Sequence, residues 1–159
     1  MIFITVGTHT QQFNRLIKEV DNLVKIGVIK DHIIAQIGNS NYIPKNIEYR
    51  KFLPEEERNK ILKTAKLVIT HGGAGSIIDV LSTGKKPIVV PRLKELGEHI
   101  NNHQLDLCKK LEEQDKIEAI YDIRDLKRHL KPKNTINTSK SKTLLPNLKQ
   151  YLIEIDDKL

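Results

Sequence analysis

The residues best suited to chemistry form one run, His71-Gly72-Gly73-Ala74-Gly75-Ser76, followed by Asp79. Glycines at 72, 73 and 75 let the backbone turn sharply and approach a ligand closely. A helix starting near Gly75 would present free N–H groups and the positive end of its dipole, which suits a phosphate. Ser76 adds a hydroxyl in the first turn. Asp79 lies one helical turn beyond Gly75, where its carboxylate could accept from two vicinal hydroxyls. A diphosphate at the helix start with a ribose one turn along describes a nucleotide. The same residues also read as a tight strand-to-helix turn with a solvent-facing Asp79. His71 is read as ordering this loop. His9 could contact a phosphate or serve as a base, or be a helix-start neighbour without chemistry. His103-Gln104 offers two polar side chains for sugar or base hydroxyls, and reads equally as an exposed helix start.

Spacing removes the rival motifs. A dinucleotide fingerprint needs Gly-x-Gly-x-x-Gly after the first strand, but the third position here is Ile78 and the strand is the fourth. A P-loop needs Gly, four residues, then Gly-Lys-Ser/Thr; Gly84-Lys85 is followed by Lys86 and preceded by Asp79 at the required place. His99 and His103 stand four apart, read here as one helix face, but Glu98 precedes the pair and Ile100 follows His99, so the zinc-protease pattern fails. Glu55, Glu56 and Glu57 after Pro54 read as helix-start chemistry, not as a metal site.

The elements that must position these residues alternate. Strands are expected at 2–6, 32–37, 47–52, 67–70, 87–90 and 117–120, each short and β-branched or apolar. Between them Phe13, Leu16, Ile17, Val20, Leu23 and Val24 recur at helical spacing, a second helix starts at Pro54, and a third runs from the glycines to Gly84. A polar loop from Arg92 to Glu98 precedes a helix carrying Leu105, Leu107, Cys108 and Leu111, and a short basic helix is expected from Asp122 to Leu130. Such alternation predicts an α/β fold, an open doubly wound parallel sheet, Rossmann-like, with ligands at the carboxyl ends of its strands. Residues 1–130 read as the binding domain, 131–143 as a linker or mobile loop, and 144–159 as a C-terminal helical tail.

Composition bounds the rest. The 159 residues suffice for one domain with a real core, and no apolar run approaches a membrane span. The N-terminus reads as a strand rather than a signal peptide, and a single Cys108, read as a core thiol, excludes a disulfide framework; a reducing, cytoplasmic setting is expected. The net charge of +7 is localised: Arg124 to Lys149 holds eight basic residues against Asp125, leaving 19 basic and 19 acidic residues elsewhere. That stretch reads as a patch for phosphates, on nucleic acid or an anionic membrane, or as a solvated basic face. With aromatics at 4% and no stacking residues interleaved among the lysines, nucleic acid is the weaker reading.

Together, His71 to Asp79, Gly84-Lys85-Lys86-Pro87-Ile88-Val89-Val90-Pro91 and Asn101-Asn102-His103-Gln104-Leu105 resemble the C-terminal donor-binding domain of family 28 GT-B glycosyltransferases. Val6-Gly7-Thr8-His9 with Phe13-Asn14-Arg15-Leu16 fits the same pattern. The similarity is greatest to the free-standing branch, namely the catalytic subunit of the two-part dolichol-linked UDP-N-acetylglucosamine transferase and its bacterial exopolysaccharide counterparts. It covers residues 1 to about 111. The resemblance implies half of a GT-B fold and a UDP-sugar donor with no metal or other cofactor. It places Gly72, Gly73, Ala74, Gly75 and Ser76 around the diphosphate, and Asp79, where the family usually has glutamate, on the ribose. His103 and Gln104 fall on the sugar and ribose, Thr8 with His9 beside the phosphates and acceptor, and His9 is the candidate catalytic residue. It further implies inverting transfer of a hexose to a lipid-linked saccharide (an EC 2.4.1 type activity). A membrane-anchored partner would supply the acceptor half and recruit the chain peripherally to the cytoplasmic face of the membrane. A non-catalytic, nucleotide-sugar-binding or regulatory subunit is the alternative.

Overall fold

The computed structural model describes residues 1–130 and Gln150. The linker read at 131–143 and, Gln150 apart, the helix read at 144–159 lie outside the described residues.

Six strands, β1 (Ile2–Thr5), β2 (Ile33–Gln36), β3 (Glu48–Arg50), β4 (Leu67–His71), β5 (Ile88–Val90) and β6 (Glu118–Ala119), alternate with helices α1 (Asn14–Lys25), α2 (Glu55–Thr64), α3 (Ala74–Ser82) and α4 (His103–Glu113). Two 3-10 turns, Lys94–Leu96 and Ile123–Arg128, complete the described part. The second of these is the short basic helix expected at 122–130, with 3-10 pitch, its start fixed by the Asp122 carboxylate accepting from the Arg124 N–H. Every strand pairing is parallel, in the order β3-β2-β1-β4-β5-β6.

The period-two alternation of strand side chains divides the core into two faces. Ile2 and Ile4 of β1, Leu67 and Ile69 of β4, and Ile88 and Val90 of β5 pack with Leu16, Ile17, Val20 and Leu23 of α1. Phe3 and Val68 point the other way, onto Ile61 and Leu62 of α2 and Val80 of α3. Val89 meets Ile77 and Leu81 of α3 and Leu107, Cys108 and Leu111 of α4 on that same side. Burying each such side chain contributes about 1.5–3 kcal/mol, which locks the register of the central strands. The chain steps outward from β1 to β2 and β3, then returns to lay β4 on the other flank of β1. The strand order therefore reverses between β1 and β4, and in open parallel sheets the crevice beyond that reversal is where ligands bind.

Candidate active site

The loops leaving β1 and β4 build the crevice. β4 runs one residue further than its apolar pattern suggests, so His71 is its last residue, 7% exposed. The imidazole fills the gap between the two central loops. A Cβ on Gly7 would lie 2.5 Å from its Cε1, and a Cβ on Gly73 would lie 2.2 Å from its Nε2. Only glycines on both sides leave room for the ring, and Gly7 also adopts a left-handed φ of 73°. Burial, with the nearby Arg92 guanidinium adding to it, pulls the His71 pKa down to about 3, so the ring is neutral.

Gly73 caps α3 with an extended backbone, and Ala74 begins the helix. The first N–H groups of that helix have no intrahelical partners. Two cavities flank this segment. One, of about 480 Å³, is bounded by Thr8, His9, His71, His99, His103 and Gln104. The other, of about 420 Å³, is bounded by Gln36, Leu53, Glu55, Arg58, Ser76 and Asp79. Gly73, Gly75, His71 and Thr8 border both. The structure thus brings all ten residues singled out in the sequence to one crevice: Thr8, Gly73 and Gly75 between the cavities, His9, Gly72, Ala74, His103 and Gln104 on one side, Ser76 and Asp79 on the other.

Several of them have partners that spacing did not foretell. Asp79 Oδ2 accepts from Arg58 Nη1 of α2 at 2.6 Å. Gln104 is buried, and its Oε1 accepts from the Arg92 backbone N–H at 3.1 Å, so the nitrogen end of the amide remains to donate. Gly72 lies under it: a Cβ there would meet Gln104 Cβ at 2.9 Å. His99 and His103 do not share a helix face. α4 begins at His103, while His99 lies in the preceding loop and stacks on His9 instead, ring centroids 4.4 Å apart. The zinc-protease spacing therefore has no structural counterpart, and among the described residues no group of three or more His, Cys, Asp or Glu could hold a metal ion.

The loop from Arg92 to Glu98 is polar in sequence, yet both of its ends are buried. Arg92 Nη1 donates to the carbonyls of Gln11, Gln12 and Glu98 at 2.9–3.0 Å, and Nη2 donates to Val6 O at 2.7 Å. Its guanidinium lies 4.8 Å from the centre of the Phe13 ring, and burial brings its pKa down to about 10. Glu98 accepts from Arg15 Nε and Nη2, both at 2.9 Å, and from the Leu93 N–H at 3.0 Å. This buried network ties the loop after β1 to the loop after β5, and so fixes the floor beneath His9 and His99. Nothing in residue spacing marks Arg92 as buried. The only hint is an arginine placed directly after an apolar strand and Pro91.

A reversed strand order with a glycine-capped, anion-suited helix at the reversal defines a Rossmann-like ligand-binding domain. Residues 1–147 match the profile of the glycosyltransferase family 28 C-terminal domain, and the chain belongs to that family. The human UDP-N-acetylglucosamine transferase subunit ALG13 is 37% identical over 119 residues, which cover 69% of this chain and 10% of that protein. The Yarrowia lipolytica protein of the same name is 28% identical over 127 residues, covering 70% of this chain and 60% of that one. A Borreliella burgdorferi UDP-N-acetylglucosamine–N-acetylmuramyl-(pentapeptide) pyrophosphoryl-undecaprenol N-acetylglucosamine transferase is 31% identical over 112 residues, 67% of this chain and 29% of that protein. The chain thus aligns with about a tenth of the human relative's length. Among solved structures, the glycotransferase of kitacinnamycin and the calicheamicin glycosyltransferase CalG4 each superpose with a TM-score of 0.56, at 20% and 12% identity. Each match covers 97% of this chain and 39% of the neighbour, so the fold is that of one half of a GT-B enzyme.

Proposed function

We propose that this chain is the donor-binding, catalytic subunit of a two-component inverting glycosyltransferase that moves a hexose from a UDP-sugar to a lipid-linked saccharide. The observation that carries the reading is the pair of cavities on either side of the Gly73–Gly75 ridge. A nucleotide sugar is a molecule with two lobes joined by a diphosphate. The ridge offers the N–H groups of α3 to the diphosphate, the cavity with Asp79 receives the nucleoside, and the cavity with His103 and Gln104 receives the sugar. Expelling UDP builds negative charge on the diphosphate, and fixed N–H donors stabilise it without reorganising; one such donor is typically worth about 3–4 kcal/mol of barrier.

The acceptor hydroxyl needs a base and a binding surface. The names of the human and Yarrowia relatives describe subunits, which supports a partner that supplies the acceptor half. The Borreliella relative's name describes transfer to an undecaprenol-linked acceptor, which supports a lipid-linked saccharide here. Among the described residues no helix is long and apolar enough to cross a membrane. Recruitment to the cytoplasmic face of the membrane belongs, on this reading, to the partner.

The purified chain should bind UDP yet transfer sugar only when membranes holding the partner are added. Efficient transfer to a simple acceptor by the chain alone would overturn the two-component reading. Asp79→Ala should weaken UDP binding about tenfold or more, the scale of a hydrogen bond to a charged group. Unchanged affinity by calorimetry would remove Asp79 from the ribose.

A further inference from the structure

His9, in the loop after β1, and His99, in the loop before α4, reach each other across the larger cavity, ring centroids 4.4 Å apart and planes tilted by 39°. Each ring is oriented by its own backbone. The Gln11 N–H donates to Nδ1 of His9, and the Asn101 N–H donates to Nδ1 of His99, both at 3.4 Å. A ring nitrogen that accepts carries no proton, so a neutral imidazole held this way bears its hydrogen on Nε2. Adding a proton at Nδ1 would set N–H against N–H, and charging both stacked rings would place two cations side by side.

The surroundings of His99 favour the same state. His71 faces the pair from β4, His103 from α4 and the Arg92 guanidinium from the loop after β5. The two carboxylates of the loop after β5 are committed elsewhere, Glu98 to Arg15 and the Leu93 N–H, and Glu95 to Asn102 Nδ2. Among the described residues no carboxylate lines the cavity, and the start of α3 forms another of its walls. Burial first, then His9 and Arg92, hold His99 below the ordinary histidine range against the opposing pull of its hydrogen bonds to Asn101.

Building on the nucleotide-sugar reading, we propose that His9 and His99 act together as two neutral Nε2–H donors to the diphosphate oxygens of the donor, and that neither is the base for the acceptor. A base at Nε2 requires the proton on Nδ1, and each Nδ1 faces a backbone N–H instead. His99 thereby becomes a donor-binding residue, and the candidate role of His9 as a base gives way to binding.

The test uses the full ¹⁵N-labelled chain at pH 7.5, with UDP as the ligand. Imidazole ¹H–¹⁵N spectra should show His9 and His99 as neutral Nε2–H tautomers with and without UDP. By calorimetry His99→Ala should lose about tenfold in UDP affinity, the scale of one charge-assisted hydrogen bond. His99→Gln, whose amide nitrogen falls near the position of Nε2, should recover most of that loss, and His99→Asn should not. An Nδ1–H tautomer or an imidazolium on either residue overturns the proposal. So does His99→Ala binding UDP as tightly as the parent, which would leave the nucleotide-sugar reading intact. A correctly folded chain that does not bind UDP at all removes that reading and the ligand of the pair together.

Discussion

Replacing Gly73 by alanine isolates the feature on which the crevice is built. The backbone there, φ −73° and ψ 129°, is open to any residue, so no conformational strain is introduced. At such a position Gly→Ala ordinarily stabilises by about 0.4–1 kcal/mol, by restricting the unfolded chain. Here the new methyl would fall 2.2 Å from Nε2 and 2.9 Å from Cδ2 of His71. The ring has little space to retreat, since a Cβ on its other side, at Gly7, would be 2.5 Å from Cε1. Forcing extra atoms into a packed site costs about 1–3 kcal/mol, so the sign reverses and the variant should lose about 1–2 kcal/mol. Gly73 also caps α3 and borders both cavities, so UDP affinity should fall about tenfold or more.

The assay is a double-mutant cycle of Gly73→Ala and His71→Ala, read by urea unfolding and by UDP calorimetry. With the ring gone, the added methyl has nothing to strike, and the double variant should be as stable as His71→Ala or more so, giving a coupling of about 1–3 kcal/mol. If Gly73→Ala costs nothing, or costs the same in both backgrounds, the packing of His71 between two glycines is not what shapes the site.

Two further outcomes concern the groups beneath the crevice. Arg92→Met should destabilise by about 3–5 kcal/mol in urea unfolding, because it strands the buried carbonyls of Val6 and Glu98 and the part-buried ones of Gln11 and Gln12. Arg92→Lys should recover only part of this, since one ammonium cannot replace the planar fork. His71, neutral in the folded protein down to about pH 3, contributes stability that is fully present above the unfolded histidine value near 6.5 and is lost as pH falls toward about 3. Over that window the difference in stability between the parent and His71→Asn should change by up to about 1.4 kcal/mol per pH unit, and a parallel pH dependence would falsify the assignment.

The parts of this structure governed by local chemistry were legible in the sequence. Strands occur at all six expected places, β1, β2, β4 and β5 as runs rich in β-branched and other apolar residues. The crevice, with ten of the residues that border it, was legible from the glycines, the strand-helix alternation and the family resemblance. What the sequence concealed depends on distant partners. Arg58 meets Asp79 only because α2 and α3 share one face of the sheet. Arg92 reads as the first residue of a polar loop until the loop after β1 folds its carbonyls over it. His99 has a misleading neighbour at helical spacing, and its true partner, His9, comes from the far side of the crevice. The short basic helix expected at 122–130 has 3-10 pitch at 123–128, which periodicity over so few residues does not resolve.

Charge makes the last step. The sequence carries its surplus of +7 toward the C-terminus, and the described part of that stretch lies away from the crevice. Arg124 and Arg128 are exposed and pair with Asp122 and Asp125. The cationic side chains lining the described cavities reduce to Arg58, already paired with Asp79, and to histidines, of which burial favours the neutral form at His71 and His99. On the proposed reading the donor is held by oriented N–H dipoles, whose attraction does not depend on releasing counterions, whereas lysines meeting an anionic surface do release them. The two kinds of binding separate in salt. UDP affinity should decline only shallowly between about 50 and 200 mM salt, while any attachment to anionic vesicles through the basic residues from Arg124 to Lys149 should fall steeply over the same range. A UDP affinity that falls as steeply as vesicle binding would mean that those lysines, and not the neutral N–H groups around Gly73, hold the diphosphate.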